Sequence, residues 1–240
     1  MEENLWTKDF IITSFVNFLL TIMNFLFMVT MANFSVETYG VKVSTAGLSA
    51  SIFVLGCLFG RVLVGKLIGR FGIFRVLNAG LLGAVMFSLS YFFVACKPSD
   101  VVSDFHVMFS LSYFFVKGVE TLLLTRIFHG FMLGLASTAL STICVQIVPS
   151  SRKGEGISYY GLSNVLGAAI GPFLGMLFID LNNGFRWLFT TNVVTVIVCL
   201  IIIHLARIQL PPANQPDHEK EAKVFNISDY IDKQRFQSLC

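Results

Sequence analysis

Two side chains inside this sequence bring chemistry that an apolar segment does not ordinarily hold. Arg126 and His129 sit in the run Leu122-Leu-Leu-Thr-Arg126-Ile-Phe-His129-Gly130-Phe-Met-Leu-Gly134. A guanidinium stays charged at any physiological pH and offers five N–H donors, so burying one demands a partner or a functional use. The imidazole three residues on can take up or release a proton near neutral pH, or serve as a neutral hydrogen-bonding contact between packed helices. No nucleophile paired with a base, phosphate-cradling glycine loop or metal-ligand spacing is found, so the chain does not read as an enzyme and no metal or cofactor is expected. Of the five cysteines, Cys57, Cys144 and Cys199 lie inside apolar runs and read as small hydrophobes, in neither a disulfide framework nor a zinc pattern.

The segments that must position these residues are membrane-spanning helices. Hydrophobic residues make up 55% of the 240 and charged ones only 13%, against about a quarter charged in a soluble domain. The net charge of +3 is spread over short loops between apolar runs, which argues against a nucleic-acid partner and leaves the lipid bilayer as the natural solvent. Six apolar runs are long enough to span it, at about 10–31, 43–64, 75–95, 118–148, 156–179 and 187–206. Residues 1–206 thus form a six-helix transmembrane domain, and 207–240, polar and carrying Pro211, Pro212 and Pro216, a solvated linker or tail.

A charge at the bilayer centre costs roughly 2.5–3.5 kcal/mol on insertion scales, so Arg126 must face protein or water. At 100° per residue, Arg126, Gly130, Gly134, Ser137 and Ser141 fall within about 80° of one another, a candidate cavity wall. Ser14, Asn17, Thr21 and Asn24 cluster within about 80° on the first helix. They either face the Arg126 stripe across a shared cavity or hydrogen-bond a packed neighbour. Glu120 is either a partner for a cation such as Lys117 or a solvated interfacial carboxylate.

Three motifs carry a family resemblance. Arg126-x-x-His129-Gly130-x-x-x-Gly134 resembles the fourth-helix motif of the major facilitator superfamily, with His129 where relatives usually have glutamine. Gly167-x-x-x-Gly171-Pro172-x-x-Gly175 resembles its fifth-helix antiporter motif, with Met176 and Ser158 where further glycines are expected. Glycines at this spacing let another helix approach backbone to backbone, and Pro172 adds a bend. Gly65-Lys66-Leu67-Ile68-Gly69-Arg70-Phe71-Gly72-Ile73-Phe74-Arg75 resembles the signature loop between helices 2 and 3. Gly69 stands where that loop carries a latching aspartate, and Ile73 and Phe74 where it carries a basic pair. The loop's Arg70 and Arg75, with Arg61 and Lys66, also read as topology-setting charges.

The resemblance implies an all-α membrane protein, the N-terminal six-helix half of the fold, built from two inverted three-helix repeats. It further implies proton-coupled export of small amphipathic compounds, with Arg126, His129, Asn17, Thr21, Asn24 and Ser137 at the coupling site or cavity. A second six-helix half is the expected partner, and its absence makes the chain read as truncated. The alternatives are a non-transporting truncated membrane protein and a partner-binding membrane subunit. With the N-terminus inside, twelve Lys and Arg lie at inner ends and four at outer ends. The positive-inside bias puts both termini in the cytoplasm of a multi-pass protein of the cell (inner or plasma) membrane. One anomaly remains: Val-Met-Phe-Ser-Leu-Ser-Tyr-Phe-Phe-Val at 85–94 recurs letter for letter at 107–116. A single perfect copy reads as a sequence duplication, and the second copy is too short to span alone.

Overall fold

In the computed structural model, residues 4–95, 119–208 and 210 are described. The second copy of the duplicated decapeptide, Lys117 and the polar tail lie outside them. Among the described residues there are six α-helices, in chain order α1 (Lys8–Tyr39), α2 (Val43–Phe71), α3 (Ile73–Ala95), α4 (Val119–Ile147), α5 (Lys153–Ile179) and α6 (Gly184–Ala206). All six are long and apolar enough to cross a membrane. They belong to one unit, Met1–Gln209, separate from Leu210–Cys240.

Two helices outrun the spans read from hydropathy. The loop expected at 32–42 is helical as far as Tyr39, because Phe34 and Ser35 are buried there and hold the extra turns against the bundle. The helix stops at Gly40, whose φ of 62° suits a residue without a side chain. The segment expected as a loop at 65–75 is likewise almost wholly helix. α2 runs on to Phe71, and the reversal into α3 is made at the single residue Gly72, φ 86°. At the other end of the bundle Asn183, with φ 62°, turns the chain into α6.

Packing repeats itself between the two halves of the bundle. α2 lies along α4, and α5 lies along α1, the pairing expected when α1–α3 and α4–α6 are two copies of one three-helix unit laid against each other in opposite senses. Glycines do the same work in both pairs. A Cβ on Gly56 or Gly60 of α2 would fall onto the Ile127 or Phe131 carbonyl oxygen of α4, and one on Gly130 or Gly134 onto the Phe53 or Cys57 carbonyl of α2. On α5, a Cβ at Gly171 would lie 2.7 Å from the Ile22 carbonyl oxygen, and Gly167 and Gly175 meet Thr21, Leu26 and Thr30. Lipid is as apolar as these side chains, so close backbone contact and dispersion, more than hydrophobic transfer, hold the helices together. A buried aromatic group, Phe27, Phe34, Tyr91 and Phe189, fills the space between α1, α3, α4 and α6, with Tyr91 and Phe189 stacked at 5.6 Å.

Candidate functional site

Arg126 is completely buried, 0% exposed, in the middle of α4. Its Nε donates to the backbone carbonyl of Ser49 on α2 at 3.0 Å, and its guanidinium carbon lies 4.6 Å from the centre of the Phe53 ring, one turn further along α2. Nη1 and Nη2 have no partner at strict hydrogen-bond geometry, and the Tyr91 hydroxyl is the polar side chain beside them, near enough to interact with the guanidinium. Among the described residues no carboxylate pairs with Arg126. The cation is therefore solvated by a carbonyl dipole and a ring face, groups that soften its burial without neutralising it.

Beside it runs a buried chain of neutral polar groups from three helices. Tyr91 Oη of α3 is 3.0 Å from His129 Nδ1 of α4, and His129 Nε2 is 3.4 Å from Ser88 Oγ of α3. Ser88 donates to Asn192 Oδ1 of α6 at 2.7 Å. Because a serine has one proton and Ser88 gives it to Asn192, the contact with His129 is a hydrogen bond only if Nε2 carries the proton. Nδ1 then accepts from the Tyr91 hydroxyl, and the remaining lone pairs of Tyr91 are left for the guanidinium. His129 is thus part of an oriented network, packed edge-on against Phe27 and Phe53.

The cavity lies elsewhere on the same helices. A space of ≈ 400 Å³ between α1, α2, α4 and α5 is lined by Asn17, Thr21, Asn24, Cys57, Arg61, Ser137 and Asn164, with Leu20, Phe25, Leu133, Val165 and Ala168. Four of the residues singled out in sequence, Asn17, Thr21, Asn24 and Ser137, meet there. Arg126 and His129 do not line it, which corrects the reading of one continuous polar wall on α4: Gly130 and Gly134, the middle of that stripe, are pressed against α2. Ser141 is turned back onto the Thr138 carbonyl. Asn17 and Thr21 share this space with Ser137, one member of that stripe, but make their hydrogen bonds to α5. Asn17 Nδ2 donates to Ser163 Oγ at 2.8 Å and to Asn164 Oδ1 at 3.0 Å, and Thr21 Oγ1 donates to the same Asn164 Oδ1 at 3.0 Å.

Sequence reading passed over several of these residues. Asn164 and Ser163 lie just before Gly167 on α5 and are identified only by their partners on α1. Asn192 did leave a signal, a lone amide inside the apolar run of α6. Ser88 and Tyr91 fall in the first copy of the duplicated decapeptide, and Arg61 was grouped with the loop charges. Gly65, Arg70, Gly72 and Arg75 are all exposed near the α2–α3 turn, with the Arg70 guanidinium carbon 5.3 Å from the Phe71 ring centre. Pro172 is inside α5, and Glu120 is exposed in the first turn of α4.

Comparison with known proteins agrees with this architecture. The D-xylose transporter of Levilactobacillus brevis is 26% identical over 142 residues, 59% of this chain and 26% of that protein. The MFS-type transporter hepF of Aspergillus oryzae is 27% identical over 162 residues, 63% of this chain and 27% of its own length. The uncharacterized MFS-type transporter YfiU of Bacillus subtilis is 21% identical over 194 residues, 80% of this chain and 33% of its own. The matches thus span a third or less of the curated relatives. A crystal structure of a D-xylose-proton symporter superposes with a TM-score of 0.66 at 14% identity, over 96% of this chain and 52% of that one, a likeness of fold. The family model described as Major Facilitator Superfamily matches residues 13–238. With the packing of two three-helix repeats and a match over nearly the whole sequence, the chain belongs to the major facilitator superfamily.

Proposed function

We propose that this chain is one six-helix half of a carrier that exports small amphipathic compounds in exchange for protons across the cell (inner or plasma) membrane, with both termini in the cytoplasm. The observation that carries the reading is a fully buried guanidinium without a carboxylate partner among the described residues, on the helix that also walls a polar and apolar cavity. An intramembrane charge of this cost is a functional group by default. Substrate binds in the cavity against Asn24, Asn164 and Ser137, and a second six-helix unit closes the cavity from the other side. Protons as the coupling ion accord with the solved neighbour, itself a proton symporter. The export direction rests on the Gly167, Gly171, Pro172, Gly175 face, which packs on α1 and ties the cavity wall to a helix that can bend at Pro172.

The test is proton movement in inverted membrane vesicles holding this chain together with a C-terminal six-helix unit. Addition of a transported amphipath after acidification of the lumen is expected to release protons, and Arg126→Ala to stop the release. Substrate movement unaffected by a pH gradient would sink proton coupling, and uptake with protons in the same direction would replace antiport by symport.

A further inference from the structure

The charge around the cavity is one-sided. Among the described residues Arg61 is its only charged lining residue, and no aspartate or glutamate lines it. Among the described residues Arg61 makes no ion pair. On α2, Ser49, Phe53, Cys57 and Arg61 follow one another at i+4, each about 40° and roughly 6 Å from the last, so they form one slowly turning row. Arg126 is bonded to the first of these residues and sits over the second, while the third and fourth line the cavity. The row therefore carries one exposed guanidinium at the cavity, Arg61, and a second, Arg126, buried at its other end with no carboxylate partner among the described residues.

Its uncharged polar groups add donors. The Asn164 carbonyl oxygen already accepts from both Asn17 and Thr21, which fixes the orientation of that amide. The Asn164 N–H₂ is left without those partners on a residue that lines the space. The amide of Asn24 lies on the same lining, whereas Ser137, also there, gives its hydroxyl proton to the Gly134 carbonyl. Leu20, Phe25, Leu133, Val165 and Ala168 supply an apolar surface beside them.

We infer that the cavity selects solutes that join an apolar body to an anionic head, a carboxylate or sulfonate, with Arg61 as the residue that recognises the head. The inference rests on the carrier reading and narrows its substrate class. A cationic amphipath meets only like charge here, and low-dielectric walls strengthen that discrimination. A guanidinium serves the role better than an ammonium because its planar fork holds two oxygens at once.

The chain is placed in nanodiscs of uncharged phosphatidylcholine, with empty nanodiscs as the blank, and equilibrium dialysis compares 4-phenylbutyrate, 4-phenylbutanamide and 4-phenylbutylamine. The three share one apolar body and differ only in the head. The carboxylate is expected to bind at least about tenfold more tightly than the amide, and the amine more weakly than either. Arg61→Gln is expected to lower carboxylate affinity by about tenfold, with Arg61→Lys intermediate. Equal affinities for the three heads, preference for the amine, an undiminished carboxylate preference in Arg61→Gln, or no saturable binding at all would each overturn the inference. Comparison of the three probes on the unaltered chain needs no variant to fold. Because binding is read without a proton gradient, failure of proton coupling in vesicles with charge selection intact would remove the antiport reading alone. Antiport without charge selection would remove this inference alone.

Discussion

Arg126 is stabilised by a carbonyl, a ring face and the neighbourhood of a tyrosine hydroxyl, so replacing it has two opposed effects. Arg126→Ala removes a buried charge but leaves a void against Phe53, and in the assembled carrier it should abolish proton-coupled transport while expression stays near normal. Arg126→Lys should recover little, since an ammonium cannot lie flat on the Phe53 ring and reach the Ser49 carbonyl together. Proton-coupled flux that survives in the alanine variant would reduce Arg126 to a structural residue. The polar chain beside it makes a separate prediction. His129→Ala strips partners from both Tyr91 and Ser88 and should cost about 2–4 kcal/mol. Tyr91→Phe keeps the stack on Phe189 and should cost about 1 kcal/mol. Thermal unfolding in detergent orders the two, and equal losses would mean that His129 does not tie α4 to α3 through both ring nitrogens. Arg126 and His129 were visible in sequence because a charge and an imidazole are rare inside apolar runs. Their surroundings were not, because helical periodicity ties together residues on one helix and says nothing of which helix lies opposite. Asn17 and Thr21 illustrate the limit: their shared face was legible, but their partner Asn164 was not.

At the scale of elements, glycines decide which helices touch. Gly171→Ala puts a methyl group onto the Ile22 backbone and should destabilise by about 1–3 kcal/mol, whereas Gly161 faces open space, where alanine should gain roughly 0.5–1 kcal/mol of helix stability. Unfolding temperatures that move in the same direction would contradict the α1–α5 contact. Ser163 on the same helix is no suitable control, since it is buried and accepts from Asn17. The six spans were legible because apolar run length against bilayer thickness is a strong constraint. The helix ends were less so: the turns beyond residue 31 are polar enough to resemble a loop and are kept helical by tertiary burial of Phe34 against Phe185 and Phe189. The duplicated decapeptide is also an element-scale matter. Its first copy supplies Ser88 and Tyr91 to the core of α3. Deleting residues 95–116, which removes the spacer and the second copy, should therefore leave membrane insertion intact, read by protease protection of α4 to α6. Loss of insertion or reversal of the later helices would make the second copy a structural element.

For the whole molecule, the question is what covers the cavity and the bare faces beside it. α5 buries its glycines on α1 but exposes Leu162, Val165, Phe173, Met176 and Leu177, and α2 exposes Leu55, Leu58, Phe59 and Val62. Both helices wall the cavity, so whatever meets these faces also completes the site. Lipid chains can cover the apolar side chains but give Arg61, Asn24 and Asn164 no partner, whereas a second six-helix unit can do both. A second copy of this chain is a poorer candidate. It would set two uncompensated Arg126 groups and two Arg61 groups around one low-dielectric space, and like charges there repel. The expected outcome follows from those two arguments. Vesicles reconstituted with this chain alone should show no substrate-dependent proton flux, and vesicles that also receive a C-terminal six-helix unit should recover it. The readout is the fluorescence of a lumenal pH probe on addition of substrate. Robust flux from this chain alone would mean that two copies share the site, and the charge repulsion across it would then have to be relieved by the anion being carried.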